Sequence, residues 1–374
     1  RKPGTVAVKV VASDAWGREV RIRTFDAPTD KITEVPLDLP TDRLGVFHLD
    51  MKALSGSEIA GIGIGRYAVL DPPYLQSRKL GHPGLAGICQ ESFNFPVWLC
   101  QDHAAIQTDL GIRFNRFFAA IPLDLPEPIP QEWTDDLKAK CKPFREAGID
   151  VMPCVGVIPA STAEASQSLE MTEATALDAF GKHLGDYVSA LRDEVSYWEI
   201  FNEPNLWRLA AGRDAGKRTM YPLKYLEFQK VAYRVIKGID PKLQVVAPGL
   251  NNVDFDWLDG WMKAGAGAYM DVFSFHPYSE TDFVPQGGQL ENLMNHFGFK
   301  GPLLNSEKYF GANLFYDRAG YEETRRAYYL PHDGEMKTAG RSIQHFVSSA
   351  SLGIPVCFFN PEGTMSRRGP DHEL

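Results

Sequence analysis

From Gly84 to Pro361 the sequence alternates short apolar runs with longer amphipathic segments, and this alternation constrains the fold more than any other feature. Candidate strands fall at 85–90, 112–118, 149–155, 196–203, 243–248, 271–276, 301–307 and 354–360. Helical segments fit between them at 98–110, 131–147, 172–194, 221–238, 254–264, 287–297 and 335–352. Regular strand–helix alternation is the pattern of βα units on a parallel sheet, and eight such units close a (β/α)8 TIM barrel. After the eighth strand only Pro361 to Leu374 remain, polar and with little helical pattern. The barrel, residues 81–374, is therefore expected to be incomplete at its C-terminus or to receive its closing helix from elsewhere.

Residues 1–80 read differently. Thr5-Val6-Ala7-Val8-Lys9-Val10-Val11 and Gly45-Val46-Phe47-His48-Leu49-Asp50-Met51 alternate apolar and polar with period two, the pattern of half-buried antiparallel strands. A small β-sandwich accessory module is expected there, followed by a linker at Pro72-Pro73 and the polar run 76–79. Across all 374 residues 44% are hydrophobic, enough for one large α/β domain and a smaller companion. A net charge of -9 with scattered lysines and arginines argues against a nucleic-acid or anionic-membrane partner. The five cysteines follow no metal-finger or CxxC spacing and sit mostly in apolar runs, as buried free thiols do. No stretch reaches the length of a membrane-spanning helix, and no signal peptide is recognisable in a chain that begins at Arg1.

Two candidate strands end in a glutamate: Tyr197-Trp198-Glu199-Ile200-Phe201-Asn202-Glu203-Pro204 is the fourth and Gly301-Pro302-Leu303-Leu304-Asn305-Ser306-Glu307 the seventh. The carboxyl ends of barrel strands are where such folds keep their chemistry. Strands four and seven are not neighbours, so Glu203 and Glu307 are expected to face each other across the mouth. A carboxyl pair of that kind can cleave a glycosidic bond, one group protonating the leaving oxygen and the other attacking the anomeric carbon or activating water. The connections after these strands, 204–220 and 308–333, are long, as functional loops often are.

Ile200-Phe201-Asn202-Glu203-Pro204-Asn205 resembles the acid/base motif of the clan A glycoside hydrolases, and the longer stretch Tyr197 to Trp207 is most similar to family 39, the β-xylosidase and α-L-iduronidase family. Gly111-Ile112-Arg113-Phe114-Asn115-Arg116 resembles the clan's second-strand motif, His276-Pro277-Tyr278 its sixth-strand ending, and Glu307 falls where its nucleophile lies. The resemblance implies a retaining hydrolase acting on a carbohydrate with no cofactor and no metal, secreted or periplasmic, with Glu203 as acid/base and Glu307 as nucleophile. It further implies that Asn202 bonds the sugar 2-hydroxyl, that Arg116 lies near Glu307 and keeps it ionised, and that His276 and Tyr278 touch substrate or nucleophile. Arg116 has an alternative partner in Glu199, which shares the face of Glu203 four residues deeper in the barrel and reads as a structural acid. Trp207 can be a stacking platform for sugar or a plug in its own loop. Strand eight, ending Phe358-Phe359-Asn360, departs from the clan, which often presents tryptophan there, and Asn305-Ser306-Glu307 stands where Thr-Glu is commoner. Both departures bear on the substrate more than on the mechanism.

Three other readings compete. A catalytically inactive carbohydrate-binding barrel has no need of both glutamates. A metal-dependent hydrolase calls for converging ligands, yet no HxH or HExxH pairing occurs among the nine histidines. A barrel aldolase wants a lysine at a strand end; Lys308 stands there, although Glu307 beside it explains the position more simply. The oligomeric state is not written in these patterns.

Overall fold

The computed structural model describes residues 4–14, 17–32, 34–43, 45–69, 86–90, 96–121, 128–157, 173–206, 222–278, 283–308 and 332–360. The chain divides into two compact units, residues 1–80 with 311–342 and residues 81–310 with 343–374. Each is taken by itself.

In the first unit β1 (Thr5–Asp14), β2 (Glu19–Pro28), β3 (Gly45–Ser55) and β4 (Glu58–Val69) form an antiparallel sheet in the order β2-β1-β3-β4. Val10 pairs with Met51 and Ala12 with Leu49, so these side chains share one face. Among the described residues the module is this single sheet, not two. Leu37 and Leu39, in the connector between β2 and β3, pack against the Val10, Ala12 and Leu49 cluster, and Tyr67 Oη donates to the Pro40 carbonyl at 3.1 Å. Pro36 and Pro40 lack the N–H that a second ladder would need.

The second unit is a closed eight-stranded parallel barrel. Its strands are β5 (Ala86–Gln90), β6 (Phe114–Ile121), β7 (Asp150–Val157), β8 (Tyr197–Ile200), β9 (Gln244–Asn251), β10 (Val272–His276), β11 (Leu303–Lys308) and β12 (Val356–Asn360). All eight expected strands are present, and β12 closes the ring on β5 with Val356 opposite Ala86. The helices are α1 (Val97–Asp109), α2 (Gln131–Glu146), α3 (Glu173–Leu191), α4 (Pro222–Ile239), α5 (Phe255–Lys263), α6 (Val284–His296) and, from residue 343 onward, α7 (His332–Ser351). None of the described helices is long and apolar enough to cross a membrane. The region after β12, where a closing helix was not expected, lies outside the described residues.

Apolar faces at helical spacing hold the helices to the barrel. In α5, Asp254 caps the first turn by accepting from the Trp257 amide at 3.0 Å, and Trp257, Leu258, Trp261 and Met262 are buried.

The fourth barrel strand is shorter than its apolar run predicts, stopping at Ile200 and not at Glu203. Phe201 and Glu203 adopt φ of 68° and 51°, left-handed values that a non-glycine residue rarely takes and that take the chain out of the ladder. The bend is fixed by backbone bonds from the Phe201 amide to the Val155 carbonyl and from the Glu203 amide to the Gly249 carbonyl, both 2.8 Å. It is fixed also by the Phe201 ring, whose centroid lies 5.2 Å from that of Phe228 and 5.8 Å from those of Phe180 and Tyr225. Phe201→Ala is therefore expected to cost about 3–5 kcal/mol, read as a lowered denaturant midpoint. An unchanged midpoint would show that the backbone bonds hold the bend alone.

Candidate active site

Side chains alternate inward and outward along each barrel strand. One inward layer, mostly apolar, contains Phe114, Met152, Tyr197, Val272 and Leu304. Two residues further along those same strands stand Arg116, Cys154, Glu199, Ser274 and Ser306, all buried. The barrel interior thus changes from apolar to polar in one step towards its carboxyl end, and the strand-end residues lie just beyond.

Arg116 organises that polar layer. Its side chain is fully buried, and Nε donates to Glu199 Oε2 at 2.5 Å while Nη1 donates to Glu307 Oε2 at 2.8 Å. Nη2 reaches Asn202 Oδ1 at 2.8 Å, and Nη1 also contacts Cys89 Sγ at 3.0 Å. The two partners that the sequence offered as alternatives are held at once by one guanidinium. Burial, the largest single influence, would raise the Glu199 carboxyl, but the Arg116 charge together with His276 and the hydrogen bonds from Ser306 and Arg116 outweighs it and brings it below its ordinary value of 4.5. Burial pushes the Cys89 thiol well up, against the nearby arginine, so it stays neutral with Sγ 3.7 Å from Glu307 Oε2.

Glu307 has its second oxygen, Oε1, hydrogen-bonded by the Tyr278 hydroxyl at 2.5 Å. Burial, with Glu307 and Glu203 as neighbours, drives the Tyr278 phenol far above its usual range, which keeps it a donor. Across the mouth, Glu203 Oε1 accepts from Asn251 Nδ2 at 3.0 Å and lies 3.0 Å from His276 Nδ1. The other ring nitrogen of His276, Nε2, lies 3.1 Å from Ser306 Oγ. Burial raises the Glu203 carboxyl, but its bonds with His276, Asn251 and Tyr278 outweigh that, leaving it below the ordinary carboxylate value.

Gly249 makes this approach of strands possible. Its φ is 60°, and a Cβ there would stand 3.0 Å from the Phe201 carbonyl oxygen and 3.3 Å from the Glu199 carboxyl. The β9–β10 register shifts at this point.

Of the residues singled out from sequence, Arg116, Asn202, Glu203, His276, Tyr278 and Glu307 converge on one site; Trp207 lies outside the described residues. Asn251, Cys89 and Ser306 were not anticipated as part of it. Asn251 had a signal, a polar residue ending the apolar fifth strand, whereas Cys89 looks like any buried thiol. Asn205, inside the recognised motif, brackets Asn251 by donating to its carbonyl at 2.9 Å and accepting from its amide at 3.0 Å.

Glu203, His276 and Glu307 also offer one ligand-type atom each, all within 4.8 Å of one another, a set that a divalent cation can use. The carboxylate oxygens here already accept from Tyr278, Asn251 and Arg116, and the guanidinium charge opposes a second cation beside it.

No protein-family model matches the sequence, and no curated protein matches it. Among solved structures the chain is similar to a family 39 glycoside hydrolase from the gut symbiont Bacteroides cellulosilyticus WH2, with 16% identity, 96% of this chain and 70% of that chain covered, and a TM-score of 0.59. It is also similar to a glycoside hydrolase family 5 enzyme from Prevotella bryantii B14, with 12% identity, coverage of 74% and 88%, and a TM-score of 0.51. At these identities the likeness is one of fold.

The buried charges give a test that needs no substrate. Arg116→Met leaves Glu199 and Glu307 without their cation and is expected to cost about 3–5 kcal/mol at pH 7. Because the folded Glu199 carboxyl of the native protein lies below 4.5, the stability it contributes is present above that pH and is lost as pH falls. In the variant the stranded carboxyls bind protons more readily when folded, so its deficit should shrink from pH 7 to pH 5. Denaturant melts at the two pH values check this; a deficit that stays constant would mean the charges do not interact as described.

Proposed function

We propose that the protein is a retaining glycoside hydrolase of the clan A type, cleaving O-glycosidic bonds of an oligo- or polysaccharide by double displacement. The observation that carries the reading is the pair Glu203 and Glu307 at the barrel mouth, with one carboxylate oxygen of each within 4.8 Å of the other. Retaining sites hold their carboxyl groups about 5–5.5 Å apart, whereas inverting sites leave roughly 6.5–9.5 Å for a water. The spacing therefore favours retention.

In the first step the Glu203 proton passes to the glycosidic oxygen, a Glu307 oxygen bonds to the anomeric carbon, and the bond to the leaving oxygen breaks with its electron pair going to that oxygen. In the second, Glu203 takes a proton from water, whose oxygen attacks the same carbon and releases Glu307. Arg116 and Tyr278 hold one oxygen of Glu307 each, so the attacking group enters the reaction already oriented. Asn202, its Oδ1 held by Arg116, stands beside the carboxylate pair, and we assign it the sugar 2-hydroxyl. No step here is assigned to a cofactor. We place such an enzyme with its substrate outside the cytoplasm, secreted or periplasmic; the five cysteines, all free and buried, form no disulfide that would mark that compartment.

Aryl glycosides separate the two roles. Glu203→Ala should keep an initial burst on dinitrophenyl glycosides, whose leaving group needs no proton, and azide should speed its second step to give a glycosyl azide of retained configuration. Glu307→Ala should show no burst, with any azide product inverted. The reverse pattern would exchange the roles, and full activity in either variant would discard the pair. Since Glu203 must carry a proton in the first step and its carboxyl is depressed, kcat/KM for poor leaving groups should rise towards acid pH and should already be falling before pH reaches the ordinary carboxylate value. Dinitrophenyl glycosides should lose that dependence; a shared profile would remove Glu203 as the acid.

A further inference from the structure

Lys308 follows Glu307 at the end of β11 and is wholly buried, which a lysine seldom is unless paired. The β11–β12 register breaks between Asn305 and Lys308, and Asn305, Ser306, Glu307 and Lys308 are all buried. A local register break relaxes strict alternation and re-aims side chains. The Lys308 ammonium donates to the Pro277 carbonyl and, at 3.1 Å, to the Tyr278 carbonyl. The Tyr278 phenol in turn donates to Glu307 Oε1 at 2.5 Å. Two consecutive residues of the seventh strand thus grip the same tyrosine, the carboxylate at its hydroxyl and the ammonium at its backbone. The last β10–β11 ladder position is Phe275 opposite Asn305, and Pro277 has no N–H with which to extend pairing. Beyond that point the Lys308 ammonium joins the two strand ends.

We propose that Lys308 is a positioning residue for the hydrolytic reaction. It fixes the Pro277-Tyr278 backbone so that the phenol stays on Glu307. The inference rests on the function proposed above and extends it to a residue that touches neither substrate nor the reacting atoms. One ammonium bound to two successive carbonyls sets the orientation of the peptide between them, and the tyrosine ring is carried by that peptide. Loss of the ammonium lets the phenol leave Glu307, so the effect must pass through Tyr278.

A double-mutant cycle tests this route. Lys308→Met keeps the length of the side chain without its donors, and Lys308→Gln keeps a donor without the charge. With a nitrophenyl glycoside, Lys308→Met and Tyr278→Phe should each lower kcat/KM by about tenfold or more, chiefly in kcat, and the double variant should fall no more than about twofold below Tyr278→Phe. Lys308→Gln should recover part of the loss. Losses that multiply in the double variant would overturn the proposal. A second readout is independent of turnover: in protein labelled with 3-fluorotyrosine, the Tyr278 fluorine signal, identified by its absence in Tyr278→Phe, should shift or broaden in Lys308→Met. An unchanged Tyr278 signal would overturn the proposal even if no glycoside is hydrolysed, a result that would by itself sink only the proposed activity. If Lys308→Met does not fold, Lys308→Gln carries both measurements.

Discussion

A guanidinium enclosed in a barrel is expensive. Stripping one charge of water costs several kcal/mol even after relaxation, and the cost is offset only when opposite charges and hydrogen-bond acceptors meet it in good geometry. Arg116 meets that condition by taking Glu199 from the fourth strand, Glu307 from the seventh, Asn202 from the bend after the fourth and Cys89 from the first. Three other segments must meet the strand that carries Arg116, or a charge is left stranded. Arg116 is therefore a condition on the assembly of the upper barrel, and the carboxylate pair at the mouth inherits its placement from it.

The backbone around Glu203 shows the same dependence at a different scale. Two left-handed residues in three, Phe201 and Glu203, hold a conformation that a peptide would not keep alone. An aromatic cluster beneath, a glycine beside and the Gly249 carbonyl above the Glu203 amide determine it together. A tight bend lets a strand deliver Glu203 to the mouth while its own ladder stops three residues earlier.

Much of this was legible in the sequence because it rests on periodicity. Continuous apolar runs located all eight strands, since covered parallel strands have no polar face to interrupt them. The strand-end glutamates were visible because a charged residue closing such a run has few other places to be. What the sequence concealed depends on distance between strands. Arg116 was read as choosing between Glu199 and Glu307, and only the three-dimensional fork of the guanidinium shows that it holds both. The extent of β8 was overestimated because φ at Phe201 is set by neighbours from other strands, which a local pattern does not record. In the small unit the period-two pattern gave strands correctly, but whether a second sheet or a proline-bearing connector covers their apolar face is decided by Pro36 and Pro40.

The consecutive buried residues at the end of β11 bear on how the chain finds its fold. Shifting a strand by one position normally exchanges an apolar residue for a polar one. Here a slip of one would put the Lys308 ammonium where the Glu307 carboxylate belongs, against Arg116, turning an attraction into a repulsion between two buried cations. A misaligned seventh strand is thus rejected by charge as well as by shape, and the search for the correct alignment is steered by the same two side chains that furnish the finished mouth.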